Sequence, residues 1–373
     1  MFYYYLIVIS KVFYWFLLFL VFYTFLGYPL LLAFINLFKK KRAQDRPEYF
    51  PEVSLIILAG NDQNSIAAKL DNCLSLEYPK EKLEIIVAAI DSSDNTGKII
   101  EDYFNKGVKL LFQAEKKSSS MAVNSVVSEA KGEVVIITDA ASLIEKYSLR
   151  NMARHFIDKN VGLVAGNIEI ANKGNDYLVS GEKVFLELQR VVLLNSSKLK
   201  RIINVNPELY ALRKSDFTNL KDDGVEAKTA LPVMYSYANK DCLYEPLAQA
   251  LKTIHTDTEV NLEEKISATV KALDSSKYVR ELFKAKKYFT LLQLVSFNLL
   301  YGAYGVLLLA LFLYNLMVLG KPGYVFFFSA QFLFYVAGVL KLWSFPYYVT
   351  FSAYAHIAGL VRLIKRERGN GKS

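Results

Sequence analysis

The sequence predicts an α/β domain with a mostly parallel sheet, carried between membrane helices at the two ends of the chain. Three observations predict it. Short apolar runs alternate with amphipathic stretches through the middle of the chain. Long, nearly uncharged apolar runs occupy both ends. The composition, 53% hydrophobic and 14% aromatic with 22% charged residues, is too apolar for a purely soluble protein and too charged in the middle for an all-membrane one.

The first apolar run covers residues 2–38 and holds one charged residue, Lys11. A helix of that length would reach about 55 Å, more than the roughly 30 Å of a bilayer core. One span over about 12–38, kinked at Gly27-Tyr28-Pro29 with its aromatic-rich start in the interface, is the economical reading. The run is too long for a cleavable signal peptide, and no small-residue cleavage site follows it. Five of the eight residues 39–46 are basic, which places the following domain in the cytoplasm, with the plasma (inner) membrane as the expected location. Residues 288–320 and 324–343 read as two further spans around a G-K-P-G turn. Residues 346–364 are less apolar, carry His356 and precede a basic tail, so an interfacial or re-entrant segment is expected, with a fourth span as the alternative. The expected organisation is an anchor at 1–46, a cytosolic domain at 47–280, a membrane region at 281–364 and a tail at 365–373.

The net charge of +9 does not point to nucleic acid, because the basic clusters abut apolar segments and suit a lipid bilayer surface. Cys73 and Cys242 have neither metal-ligand spacing nor a disulfide pattern and read as buried thiols. His155, His255 and His356 have no companion at ligand spacing. No Ser-His-Asp order, Walker loop or G-x-G-x-x-G turn suggests another chemistry.

Within the central domain "VSLIIL", "LEIIVAAI", "VKLLFQA" and "EVVIITDA" read as strands. The intervening "NSIAAKLDNCLSL", "NTGKIIEDYFNK" and "SMAVNSVVSEA" read as helices. Continuous apolar strands of this kind belong to a sheet covered on both faces, and ligands of such sheets sit at the carboxyl ends of the strands. Asp91, Ser92, Ser93 and Asp94 follow the second strand, and Asp139 follows the fourth.

The succession "VSLIILAGNDQNSIAAKLDNCLSLEYPKEKLEIIVAAIDSSDNTGKII", "GEVVIITDAASL", "GLVAGNIEI" and "NPELYALRKSDF" resembles the family 2 inverting glycosyltransferases, in the branch of poly-N-acetylglucosamine, hyaluronan and cellulose synthases. The resemblance covers nearly the whole chain and implies a glycosyltransferase A-type, Rossmann-like domain flanked by transmembrane helices. It also implies a nucleotide site, carboxylates for Mg²⁺ or Mn²⁺, and a carboxylate base that deprotonates the acceptor hydroxyl. Matched residue by residue, each of these is weakened here. In "AIDSSDNT" the family's acidic pair falls on Ala89 and Ile90. A one-residue slip makes Asp91 a nucleotide ligand, beside Asp62 and Asp94, while the alternative makes them turn and helix-cap residues. The D-x-D element is Asp139-Ala140-Ala141, leaving Asp139 as the lone metal and diphosphate candidate. The position where the family carries a lysine is Ser119 here; the neighbouring Lys116 and Lys117 are the candidates to reach a phosphate, the alternative being a surface pair. Glu226 and Asp223 are the candidate bases, the alternative being a solvated acidic loop. Residues 263–273, where Q-x-x-R-W is expected, contain no Gln, Arg or Trp.

These departures imply a pseudo-glycosyltransferase that acts as scaffold or regulatory subunit in polysaccharide or glycolipid assembly, with an active transferase subunit or a nascent glycan as partner. The alternative is an active, divergent inverting enzyme that takes a UDP- or GDP-sugar, with Mg²⁺ or Mn²⁺ required only in that case.

Overall fold

The computed structural model describes residues 2–38, 47–113, 118–172, 176–318 and 322–370. The basic cluster at 39–46, Lys116, Lys117 and the first residues of the G-K-P-G turn lie outside the described residues. Helix α1 (Phe2–Phe22) runs through a π-helical turn at Tyr23–Gly27 into α2 (Tyr28–Leu37). Pro29 lacks an N–H, so one rung of the helical ladder is missing there, and the wider turn absorbs the defect. The 27 residues Lys11–Leu37 are long and apolar enough to cross a bilayer.

The domain that follows is built on one eight-stranded sheet in the order β3-β2-β1-β4-β7-β6-β8-β5. In chain order come β1 (Val53–Ala59), α3 (Ile66–Leu74), β2 (Leu83–Ile90), α4 (Thr96–Glu101), β3 (Val108–Gln113), α5 (Ser119–Glu129) and β4 (Val134–Asp139). Then follow β5 (Leu143–Ile144), α6 (Ser148–Ala153), β6 (Val161–Ile170), α7 (Tyr177–Lys198), β7 (Tyr210–Arg213), α8 (Ala227–Tyr237), β8 (Asp241–Lys252) and α9 (Thr258–Asp274). The four strands read from periodicity are mutually parallel, as the helical crossovers between them require. The other half is mixed, because β7 enters antiparallel between β4 and β6, and β5 pairs antiparallel with β8. The expected parallel pairing therefore holds for the β3-β2-β1-β4 half, and the sheet as a whole is mixed. The helix read over "NTGKIIEDYFNK" is shorter than its pattern. It ends at Glu101, and a 3₁₀ turn at Phe104–Lys106 closes on Gly107 at φ +85°.

Alternate residues of the inner strands serve two cores. Leu55, Ile57, Val134 and Ile136 pack toward α3 and α6, while Ile56, Val135 and Ile137 pack toward α5 and α8. This two-sided burial explains the uninterrupted apolar runs, and each fully buried Leu, Ile or Val contributes about 1.5–3 kcal/mol. The register Leu58↔Asp139 and Ala59↔Ala89 brings the ends of β1, β2 and β4 to one edge.

Beyond the domain come α10 (Lys277–Lys284), α11 (Tyr288–Gln293), a second π-helical turn at Leu294–Leu299, α12 (Leu300–Met317), α13 (Pro322–Val339) and α14 (Ser344–Asn370). Tyr288–Met317 is the second helix long and apolar enough to span. The α13 and α14 segments meet at 93°. After that bend α14 runs along α9 and α7 of the domain. Arg362 binds Glu263 through both guanidinium nitrogens at 2.9 and 3.0 Å, and Arg366 binds the buried Asp274 at 2.5 Å. A Cβ added at Gly181 of α7 would stand 2.2 Å from Tyr348 Cβ, so the two helices meet backbone to ring. Gly181→Val should accordingly cost about 1–3 kcal/mol by overpacking and lower the melting midpoint in detergent. Gly97→Ala, with open space around the added methyl, is the control; equal melting of the two would refute the docking contact.

Candidate active site

The loops after β1 and β2 fasten to each other. Asp62 Oδ2 accepts from Gly60 N at 2.7 Å, and Asp62 N donates to Thr96 Oγ1 at 2.9 Å. Asn61 Oδ1 accepts from Ser93 N at 2.8 Å, and Gln63 N donates to Asp94 Oδ2 at 3.1 Å. Asp94 Oδ1 also takes Thr96 N at 2.9 Å, the local turn that starts α4. These donors, with Thr96 and Ser92, hold the Asp94 carboxyl down at about 2. Asp91 stands at φ +50°, a left-handed position that suits Gly, Asn or Asp, and its side chain is exposed. Asp62 and Asp94 thus spend their oxygens on the loops themselves, and Asp91 is the carboxylate in this group left facing solvent.

Asp139 ends β4 and turns inward onto its own loop. Its Oδ1 accepts from Ser142 N at 3.0 Å and from the Ser142 hydroxyl. Beneath it the fully buried Lys69 donates to Thr138 Oγ1 at 2.7 Å and to the Ser142 carbonyl at 2.6 Å. Burial lowers the pKa of Lys69, and Asp139 and Cys73 oppose that shift. The second position of a D-x-D pair is the exposed methyl of Ala141. Among the described residues no three His, Cys, Asp or Glu side chains converge as a cation site. Hard divalent cations need several oxygen ligands, so these residues do not fit a metal as they stand.

The larger opening lies past the ends of β6, β7 and β8, where the sheet meets the membrane helices. A cavity of about 260 Å³ adjoins a recess of about 610 Å³, and both are lined by Glu182, Lys228, Lys252 and Lys265. Its domain side is charged and its membrane side aromatic, with Phe297, Tyr301 and His356. Charges pair throughout. Glu208, 2% exposed, takes Lys252 Nζ at 2.5 Å, and its Oε2 has no partner. Glu182 accepts from Lys265 Nζ at 2.6 Å and from Tyr348 OH at 2.8 Å. Glu226 caps α8 between Lys228 at 2.9 Å and Lys271 at 2.7 Å. Burial raises the Glu226 pKa, but the two ammoniums outweigh it and leave the carboxyl below the usual range.

The structure separates the two candidate bases. Glu226 lines the recess, whereas Asp223 caps its own turn through Val225 N at 3.0 Å, beside α10, and is not among the lining residues. Residues 263–273 lie on α9 and present Lys265, Ala268 and Thr269 to the cavity. Sequence reasoning missed Glu182, Glu208, Lys252 and Lys265, which come from α7, the turn before β7, β8 and α9. One signal was available: Lys252 is a charge at the carboxyl end of the long β8 strand.

The mixed sheet, its helical layers and the flanking apolar helices define a glycosyltransferase A-type domain carried next to a membrane. Residues 54–219 match the model of glycosyl transferase family 2. Probable glycosyltransferase YdaM of Bacillus subtilis is 32% identical over 134 residues, covering 34% of this chain and 32% of its own. Poly-beta-1,6-N-acetyl-D-glucosamine synthase of Staphylococcus epidermidis is 28% identical over 216 residues, covering 57% of this chain and 48% of its own. The chain thus spans between about a third and a half of these curated relatives. Among solved structures, the mannosyltransferase PcManGT from Pyrobaculum calidifontis, in complex with GDP-Man and Mn²⁺, superposes with a TM-score of 0.72. At 19% identity it covers 92% of this chain and 96% of that one, and the likeness is one of fold.

Replacing Glu226 by Gln should cost about 1–3 kcal/mol at neutral pH, because Lys228 and Lys271 lose their charged partner. A depressed carboxyl contributes stability above its unfolded pKa and loses it as pH falls through the folded one. The melting difference between wild type and Glu226→Gln is therefore full at pH 7 and shrinks below about pH 4.5. A difference that grows on acidification would contradict the assignment.

Proposed function

We propose that this chain is a membrane-bound, family 2 glycosyltransferase-like protein of polysaccharide or glycolipid assembly whose own sugar transfer has lapsed, and that it serves as a scaffold or regulatory subunit. The observation that carries this reading is the state of Asp139: its carboxylate is bonded to Ser142, and a methyl group stands where a second ligand would be. Inverting transfer needs positive charge on the departing diphosphate and a base near the acceptor hydroxyl. Glu226, the base candidate that reaches the recess, is flanked by two ammoniums that weaken it as a proton acceptor. The cavity between domain and membrane helices then serves for binding, with paired carboxylates and lysines for hydroxyl groups and aromatic rings for sugar faces. The basic residues beside both apolar ends support a cytoplasmic position for the domain.

One observation favours a second reading. A charged cavity at the strand ends is where an active enzyme would bring a UDP- or GDP-sugar to a lipid-linked or polymeric acceptor, with Asp139 and Asp91 or Asp62 on the nucleotide and Glu226 or Asp223 as base. The relatives named as synthases support that alternative at the level of the family.

The two readings part in a turnover assay. Detergent-purified protein, supplied with UDP- and GDP-sugars, membrane lipid and Mn²⁺, should release nucleotide no faster than a variant carrying both Asp139→Ala and Glu226→Gln. Release above that variant by tenfold or more would establish the enzyme, since removing single preorganised charges from an active site costs about 10²–10³ in rate.

A further inference from the structure

We infer that the cation position of this domain is filled by the chain's own Lys252, whose ammonium stands in for a divalent metal and excludes it. Two independent paths place Lys252 there. Antiparallel pairing of β5 with β8 sets Leu143 against Leu251 and Ile144 against Ala250. Lys252 follows Leu251 directly, as Ser142 precedes Leu143, and Ser142 is the residue that holds the Asp139 carboxylate. From the other side, Thr138 Oγ1 donates to the Glu208 carbonyl at 2.7 Å, fixing Glu208 beside the strand end that carries Asp139. The Glu208 carboxylate then takes Lys252 Nζ at 2.5 Å. Lys252 thus lies between the Asp139 loop and the Glu208 carboxylate.

The charges agree with the geometry. A lysine paired with a carboxylate at 2.5 Å is an ammonium at neutral pH. A divalent ion approaching Asp139 would meet that charge at close range and would have to displace it from Glu208. The unpartnered Glu208 Oε2, buried in the cavity wall, is the vacant acceptor that such a metal would otherwise claim. An ammonium has three N–H donors and Glu208 engages one. A sugar phosphate or diphosphate reaching this point would therefore be held by lysine donors. The inference concerns the cation position alone and stands whether or not sugar transfer survives.

Mn²⁺ alone is the probe, read by loss of the free-ion electron paramagnetic resonance signal on titration with full-length protein in detergent, with no nucleotide. Wild type and Lys252→Arg should leave the signal unchanged. Lys252→Gln keeps the aliphatic stem and removes the charge, and Lys252→Glu adds a carboxylate beside Asp139 and Glu208. Both should bind Mn²⁺ at least about tenfold more tightly than wild type, because a like charge at contact distance opposes binding by more than a tenfold factor even with substantial screening. Adding Asp139→Asn should abolish the gain. Mn²⁺ binding by wild type as tight as by the variants overturns the inference, as does absence of binding in both variants when they still melt cooperatively. Neither result depends on turnover, so the inference and the proposed function fail separately.

Discussion

A charge removed from water must be paired, and that requirement ties the sheet of this protein to its membrane helices. Glu182 on α7 is held by Lys265 on α9 and by Tyr348 on α14. Asp274 at the end of α9 is held by Arg366 on α14, and Glu208 before β7 by Lys252 at the end of β8. Each pair joins elements far apart in the chain. Breaking one partner of a buried pair costs about 3–5 kcal/mol, whereas the intact pair adds little net stability. The pairs therefore specify which helix lies on which more than they strengthen the whole. Without them α14 would have an amphipathic face and no reason to turn back along α9 and α7.

The same requirement separates what the sequence disclosed from what it did not. Strands β1 to β4 were legible because both faces are buried, and an unbroken run such as "VVIIT" has few other uses. The antiparallel entry of β7 was not, since a four-residue strand has no period to read. Among site residues, Asp62, Asp91, Asp94 and Asp139 were placed at strand ends by position, which the topology dictates. Their engagement was invisible: whether Asp94 binds a nucleotide or caps its own helix depends on backbone N–H groups only the folded loop supplies. Glu208 was in view within "NPELYALR" but served as a marker of resemblance. Its partner lies 44 residues downstream on another strand, and no local pattern joins them.

On the inference drawn for Lys252, the methyl of Ala141 and the Lys252 ammonium are two parts of one electrostatic arrangement. A metal site with two aspartates at the end of β4 balances a divalent charge; take the ion away and the carboxylates repel one another in a partly buried setting. Here Ala141 stands at the second position of the D-x-D element, and the Lys252 ammonium pairs with Glu208 beside the end of β4. Lys252 then balances one of the two carboxylates, through its contact with Glu208, and Asp139 is left to its hydrogen bonds from Ser142. Strand ends held by such side-chain contacts keep their places in the sheet whether or not a cation is bound.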